Sequence, residues 1–161
     1  MSLESVRAFL AEKAPDIAII ELASSTATVA LAAEGHGVTH GQIAKTLSLR
    51  QGDRPFLVVT RGDARLDNKK ARAAFGGKVS MLGPEEVAAV TGHPVGGVCP
   101  FGLATALPVY CDVSLKAFEE VVPAAGSTTS AMRINPLRMA ELAGAEWVDV
   151  CQSEARSGEA G

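Results

Sequence analysis

An α+β fold is predicted by three features of the sequence. Short apolar strands are scattered irregularly among helices, glycines and prolines punctuate them, and 47% of the 161 residues are apolar. That length suits one domain. Strict strand–helix alternation, the mark of a doubly wound sheet, is missing. Aromatics make up only 4%, so the core must rest on Val, Leu, Ile and Ala.

The elements follow in order. Ser2 is a plausible cap, and Leu3, Val6, Leu10 and Ala14 repeat at helical spacing up to Pro15. Ile17 to Leu22 reads as a strand, and Thr26 to Glu34 as a helix stopped by Gly35-His36-Gly37. Ile43 to Arg50 alternates as a strand, Gly52-Asp53 is a turn, and Pro55 to Thr60 is a buried strand. Asp67 to Phe75 is helical and ends at Gly76-Gly77; Lys78 to Leu82 is a short strand. In the next helix, Pro84 suits the first position, Glu85 and Glu86 complement the dipole, and Gly92 follows the end. A glycine-rich loop spans Gly96 to Leu103, and Leu107 to Val113 is a strand. Lys116 to Val121 is a short element, and Ala124-Ala125-Gly126-Ser127 is a bend between extended segments. Asn135-Pro136 opens a helix through Leu142, and Glu146 to Val150 is the final strand. No internal repeat or linker divides the chain, so residues 1–151 are expected to form one domain. Gln152 to Gly161 reads as a small, polar, frayed tail.

Composition excludes several classes. No apolar run reaches the roughly 18 residues a membrane span needs. Met1-Ser2-Leu3-Glu4-Ser5 carries an early acid and no basic-then-apolar block, against a signal peptide. Cys99, Cys111 and Cys151 show no CxxC or CxH spacing, so neither a disulfide framework nor a zinc site is expected, and reduced cytoplasmic thiols fit best. A net charge of −3 disfavours coating long nucleic acid and leaves room for a short piece held by a local basic patch.

Lys45 is the first residue that invites a functional reading. It shares the apolar row Ile43, Lys45, Leu47, Leu49 by period-two alternation, whereas Ala44, Thr46, Ser48 and Arg50 lie opposite. It is either an edge lysine that snorkels to water or a cation lining a cleft, poised for a phosphate or carboxylate. The loop Gly96-Gly97-Val98-Cys99-Pro100-Phe101-Gly102 is the second. Its backbone N–H groups could cradle an anion or oxyanion, or its glycines could serve a tight corner. It is neither a P-loop nor a dinucleotide fingerprint. Cys99 could be a nucleophile if His93, six residues before it, were its base; a buried cysteine packed as a small hydrophobe is the commoner case. Asp112 either caps a turn or orients Lys45 or a substrate ammonium. Gly126-Ser127 offers a permissive backbone and a hydroxyl. Arg61, Arg65, Lys69, Lys70 and Arg72 form a basic stretch, either a solvated helix face or a contact for nucleic-acid phosphates.

The order of these pieces resembles a known family. Ile43-Ala44-Lys45-Thr46-Leu47 is followed by Arg65-Leu66-Asp67-Asn68-Lys69-Lys70 and then by Thr91-Gly92-His93-Pro94-Val95-Gly96-Gly97-Val98-Cys99-Pro100-Phe101-Gly102. Pro108-Val109-Tyr110-Cys111-Asp112 and Ala125-Gly126 complete the series. This is similar to the YbaK family, freestanding relatives of the editing domain inserted in bacterial prolyl-tRNA synthetase, over roughly residues 3–150. The resemblance implies a mixed domain around a curved, barrel-like sheet with surrounding helices. It implies hydrolysis of the ester between a tRNA, tRNA-Pro foremost, and a wrong small amino acid such as Cys, Ala, Ser or Thr. No metal or other cofactor is implied, and the partners would be the aminoacyl-tRNA acceptor end and an aminoacyl-tRNA synthetase. Lys45, Gly97, Val98 and Cys99 would be catalytic: Lys45 anchors a phosphate of the terminal adenosine, and the backbone N–H groups of Gly97 to Cys99 hold the oxyanion. Thr46, His93, Gly96, Pro100, Phe101, Gly102, Asp112, Gly126 and Ser127 would bind substrate, and Arg61, Arg65, Lys69 and Lys70 would touch tRNA. The chain departs from the pattern at Cys99, where many relatives carry serine, and in the hydroxyl-rich Ser127-Thr128-Thr129-Ser130. Two alternatives are a non-catalytic binding module of the same fold and a cysteine-dependent hydrolase of small acyl substrates.

Overall fold

The computed structural model describes residues 2–152, so the expected tail from residue 153 lies outside the described residues. Its helices are α1 (Ser2–Lys13), α2 (Val29–His36), α3 (Asn68–Phe75), α4 (Pro84–Thr91) and α5 (Pro136–Ala143). Its strands are β1 (Ile20–Glu21), β2 (Ile43–Gln51), β3 (Arg54–Arg61), β4 (Val79–Met81), β5 (Val109–Asp112), β6 (Val122–Pro123), β7 (Ser130–Ala131) and β8 (Glu146–Val148). The α+β class is as expected.

Local chemistry sets most helix ends. The Asp67 carboxylate accepts from Lys70 N, and the Asn135 side chain accepts from the amides of Leu137 and Arg138. Gly76, Gly92 and Gly144 close α3, α4 and α5 in the left-handed region. The second helix starts later than the sequence pattern predicts, because Thr28 is its cap: the hydroxyl accepts from Leu31 N. The strand expected over Ile17 to Leu22 shrinks to Ile20–Glu21, because its partner β7 offers only Ser130 and Ala131. The expected element at Lys116 to Val121 is instead a 3₁₀ helix at Val113–Ala117, capped by Asp112.

The main sheet runs β4-β2-β3-β5-β8, with β6 also paired to β2. The β2–β3 hairpin is antiparallel, while β3–β5 and β5–β8 are parallel. One edge of β2 serves two strands: β6 pairs at Ile43 and Ala44, and β4 pairs at Leu49 to Gln51. Residues 45–47 thus have no strand partner on that edge, and the sheet is split there.

Both faces of the central hairpin are covered. One carries the principal core, in which Leu57 and Val59 meet Val6 and Leu10 of α1, Phe101, Cys111, Met132 and Met139. Phe9 stacks on Phe101 with centroids 5.1 Å apart, tying α1 to the glycine-rich loop. The other face carries Leu49, Phe56, Val58 and Val150, with Phe56, Phe75 and Tyr110 in mutual ring contact. Each fully buried side chain of this size contributes about 1.5–3 kcal/mol.

Candidate functional site

A cleft of about 300 Å³ opens where β4 and β6 diverge along β2. Ala44, Lys45, Thr46 and Ser48 of β2 line it, with Val29 and Ala32 of α2, Met81 and Leu82, Val87 of α4, and Ser130 of β7. Gly96 and Val98 bring the glycine-rich loop to its wall. Four of the residues that the sequence singles out, Lys45, Thr46, Gly96 and Val98, therefore meet around one cavity.

The half-buried Lys45 sends its ammonium to the Ala64 carbonyl, with Nζ donating at 2.7 Å. One donor of three is used, leaving two. Burial lowers its pKa, opposed by Cys151 and Asp63, while the Arg65 charge lowers it further. Lys45 is thus neither a freely snorkelling edge lysine nor a sealed ion pair.

The Thr46 hydroxyl is buried and has no hydrogen-bond partner among the described residues. A buried hydroxyl left unpaired costs about 1–3 kcal/mol. Ser48 shares its face of β2 and lines the cleft at 5% exposure. Ser48, Thr26 and Thr28 line the cleft although no motif in the sequence marks them, and Ser130, from the hydroxyl-rich stretch, joins them.

The loop's glycines answer two needs. Gly96 has φ +91°, and a Cβ there would meet Ala27 at 2.8 Å. At Gly97 a Cβ would stand 2.8 Å from the backbone N and C of Ser127. The Gly97 amide is already spent, because it donates to Pro94 O at 2.9 Å, while its carbonyl accepts from Gly126 N at 2.9 Å. This removes Gly97 from the expected set of oxyanion donors. Val98 and Cys99 amides make no hydrogen bond among the described residues.

The remaining expected residues lie behind this wall. Cys99 is fully buried, its Sγ 3.6 Å from Phe101 O and 3.9 Å from His93 Nε2. Burial pushes its thiol up to about 12, far from a thiolate at neutral pH. His93 is equally buried, and its Nε2–H donates to Phe101 O at 2.8 Å. Burial lowers its pKa, favouring the neutral ring. The pair braces the loop from inside, away from the cleft. Replacing Cys99 with serine is accordingly expected to leave catalysis in place, and iodoacetamide should not label Cys99 in the folded protein. Complete loss of activity in a folded Cys99→Ser protein would restore a role for the thiol.

Pro100 and Phe101 are buried in the core side of the loop, and Gly102 packs against the Ser5 backbone. Asp112 caps: its carboxylate accepts from Ser114 N at 2.9 Å and Val150 N at 2.7 Å. Gly126 lies against Ser2, and the Ser127 hydroxyl pairs with Ser130 at 2.6 Å, backing the cleft. Among the basic residues, Arg61 holds Asp63 and lies over Phe118, and Lys70 holds Asp149 and the Cys151 carbonyl. Arg65 and Lys69 are exposed and make no side-chain hydrogen bond among the described residues.

The chain is similar to known proteins in sequence and in fold. A family model described as the aminoacyl-tRNA editing domain matches residues 23–142. The Bacillus subtilis protein YwhH, itself uncharacterised, is 49% identical over 94% of this chain and 98% of its own length. An Enterococcus faecalis protein, EbsC, named as a candidate Cys-tRNA(Pro)/Cys-tRNA(Cys) deacylase, is 28% identical over 76% of each chain. A crystal structure of a candidate trans-editing enzyme for prolyl-tRNA synthetase superposes with a TM-score of 0.87 at 34% identity, covering 94% of this chain and 98% of the other.

Proposed function

Because the chain belongs to the aminoacyl-tRNA editing domain family, we propose that it works in trans as a deacylase that frees a small, wrongly attached amino acid from tRNA, with tRNA-Pro the foremost carrier. The observation that carries this reading is the cleft itself, where Lys45 and the loop residues Gly96 and Val98 line one cavity. Its volume of about 300 Å³ lies at the small end for ligand sites, in keeping with an aminoacyl group held inside and the nucleotide outside.

The chemistry asks little of side chains. Water adds to the ester carbonyl, the tetrahedral intermediate collapses, and the bond to the terminal ribose oxygen breaks. The products are the free amino acid and tRNA with its hydroxyl restored. The amide of Val98, the loop residue on the cleft wall with no hydrogen bond of its own among the described residues, stabilises the oxyanion, and a donor of this kind is worth roughly 3–4 kcal/mol. Lys45 holds a phosphate of the terminal adenosine with its two remaining donors, and the neighbouring Arg65 reinforces the local positive charge. Arg65 and Lys69 meet phosphates further along the acceptor stem. Residues 1–151 act as one editing domain in the cytoplasm, with a synthetase as a partner that supplies the mischarged substrate.

The experiment is a deacylation assay on tRNA-Pro carrying cysteine, alanine, serine or threonine. Release of at least one of these amino acids above the spontaneous rate is expected. If none is released, the enzymatic reading fails and the non-catalytic module takes its place.

A further inference from the structure

The cleft is apolar along most of its wall, with Val29, Ala32, Ile43, Val87, Val95, Val98 and Val122 contributing. Two hydroxyls interrupt it on adjacent same-face positions of β2. Thr46 Oγ1 is buried without a partner, and the Ser48 side chain makes no hydrogen bond among the described residues. The other hydroxyls of the cavity are engaged. Thr26 donates to Thr128 O at 3.1 Å, Thr28 caps α2, and Ser130 pairs with Ser127 at 2.6 Å.

Positions i and i+2 of a strand stand about 7 Å apart on one face. That spacing lets Thr46 and Ser48 flank a side chain of one or two heavy atoms. An unpaired buried hydroxyl beside an apolar wall is a poor choice for a site that takes hydrocarbon alone, because valine or alanine would fill the same space without the desolvation cost. It is a good choice for a site that accepts a hydrogen-bonding group, since a hydroxyl both donates and accepts.

We infer that Thr46 and Ser48 are specificity-determining residues which select aminoacyl esters with a hydroxyl or thiol on a short side chain over hydrocarbon side chains of the same size. The inference rests on the deacylase reading and deepens it. A pocket that only sieves by size separates alanine from 2-aminobutyrate but not 2-aminobutyrate from serine. A pocket with unpaired hydroxyls separates the second pair as well, because a substrate that cannot hydrogen-bond leaves them unsatisfied.

The test compares kcat/KM on tRNA-Pro carrying serine, cysteine, alanine or 2-aminobutyrate, for wild type, Thr46→Val, Thr46→Ser and Ser48→Ala. Wild type is expected to prefer serine or cysteine to 2-aminobutyrate by about tenfold, the loss of one neutral hydrogen bond. Thr46→Val and Ser48→Ala should shrink that preference by lowering the rate on the polar substrate while sparing 2-aminobutyrate, and Thr46→Ser should restore it. A wild type that treats serine and 2-aminobutyrate alike overturns the inference, as does an equal loss on all four substrates in folded variants. Should Thr46→Val fail to fold, Ser48→Ala alone decides by the same criterion. In all of these outcomes wild type still deacylates, so they leave the deacylase reading intact; absence of turnover on every substrate would instead remove that reading.

Discussion

Lys45→Met is expected to lower kcat/KM for deacylation by about ten- to 150-fold while leaving the protein folded. The magnitude follows from losing charged hydrogen bonds to a phosphate, worth about 1.5–3 kcal/mol. Methionine keeps an unbranched apolar stem where Lys45 shares its row with Leu47 and Leu49, so packing changes little. The ammonium is held at a desolvation cost, shown by its lowered pKa. Removing it leaves one carbonyl, Ala64 O, to find another donor. Stability should therefore change far less than activity. An anchor for the nucleotide acts alike in ground and transition states, so the loss should appear in KM more than in kcat. Lys45→Arg should not rescue, since a planar guanidinium cannot occupy the Ala64 contact and the cleft edge in the same geometry. Full activity in Lys45→Met would strip Lys45 of its proposed role. Loss through unfolding, read by a thermal melt, would make it a packing residue.

Much of this architecture is legible in local sequence. Asp67, Asn135-Pro136 and the closing glycines set three helices without tertiary help. Period two on Ile43 to Arg50 shows the row containing Lys45. It does not show which face of that strand turns inward, because β2 is packed on both sides. Arg50 continues the Thr46–Ser48 row and makes it look outward, yet it sits at the far end of the strand, where its guanidinium pairs with Glu86. The cleft's opposite wall brings Thr26, Val87, Val122 and Ser130 beside β2, and no local period encodes meetings between segments so far apart in the chain. The glycine-rich loop is recognisable from composition, but the role of each glycine is not. Gly97 is small because Ser127 lies against it, thirty residues on. Gly102 is small because Ser5 does, from the other end of the chain.

That close approach makes Gly97→Ala the sharpest test of the loop. Its Cβ would sit 2.8 Å from the backbone N and C of Ser127, atoms that cannot swing aside as a side-chain tip can. The two segments must separate, which strains the Gly126 N to Gly97 O hydrogen bond that joins them. Overpacking of this kind costs about 1–3 kcal/mol, so a lowered melting temperature is expected. The larger effect falls on catalysis. Val98 follows directly, and an outward shift carries its amide off the position where the oxyanion forms. A misplacement of about 1 Å costs about a hundredfold in rate, expressed in kcat because the oxyanion exists only beyond the ground state. Gly83→Ala is the steric control: its Cβ would meet nothing within 4 Å, so turnover should not move, and stability should fall only by the roughly 1 kcal/mol that alanine costs at the N-cap of α4. If Gly97→Ala melts earlier but keeps its kcat, the loop is a structural corner and the oxyanion donors must be sought elsewhere on the cleft wall. If kcat falls while the protein remains folded at assay temperature, backbone placement in this loop is what the glycines protect.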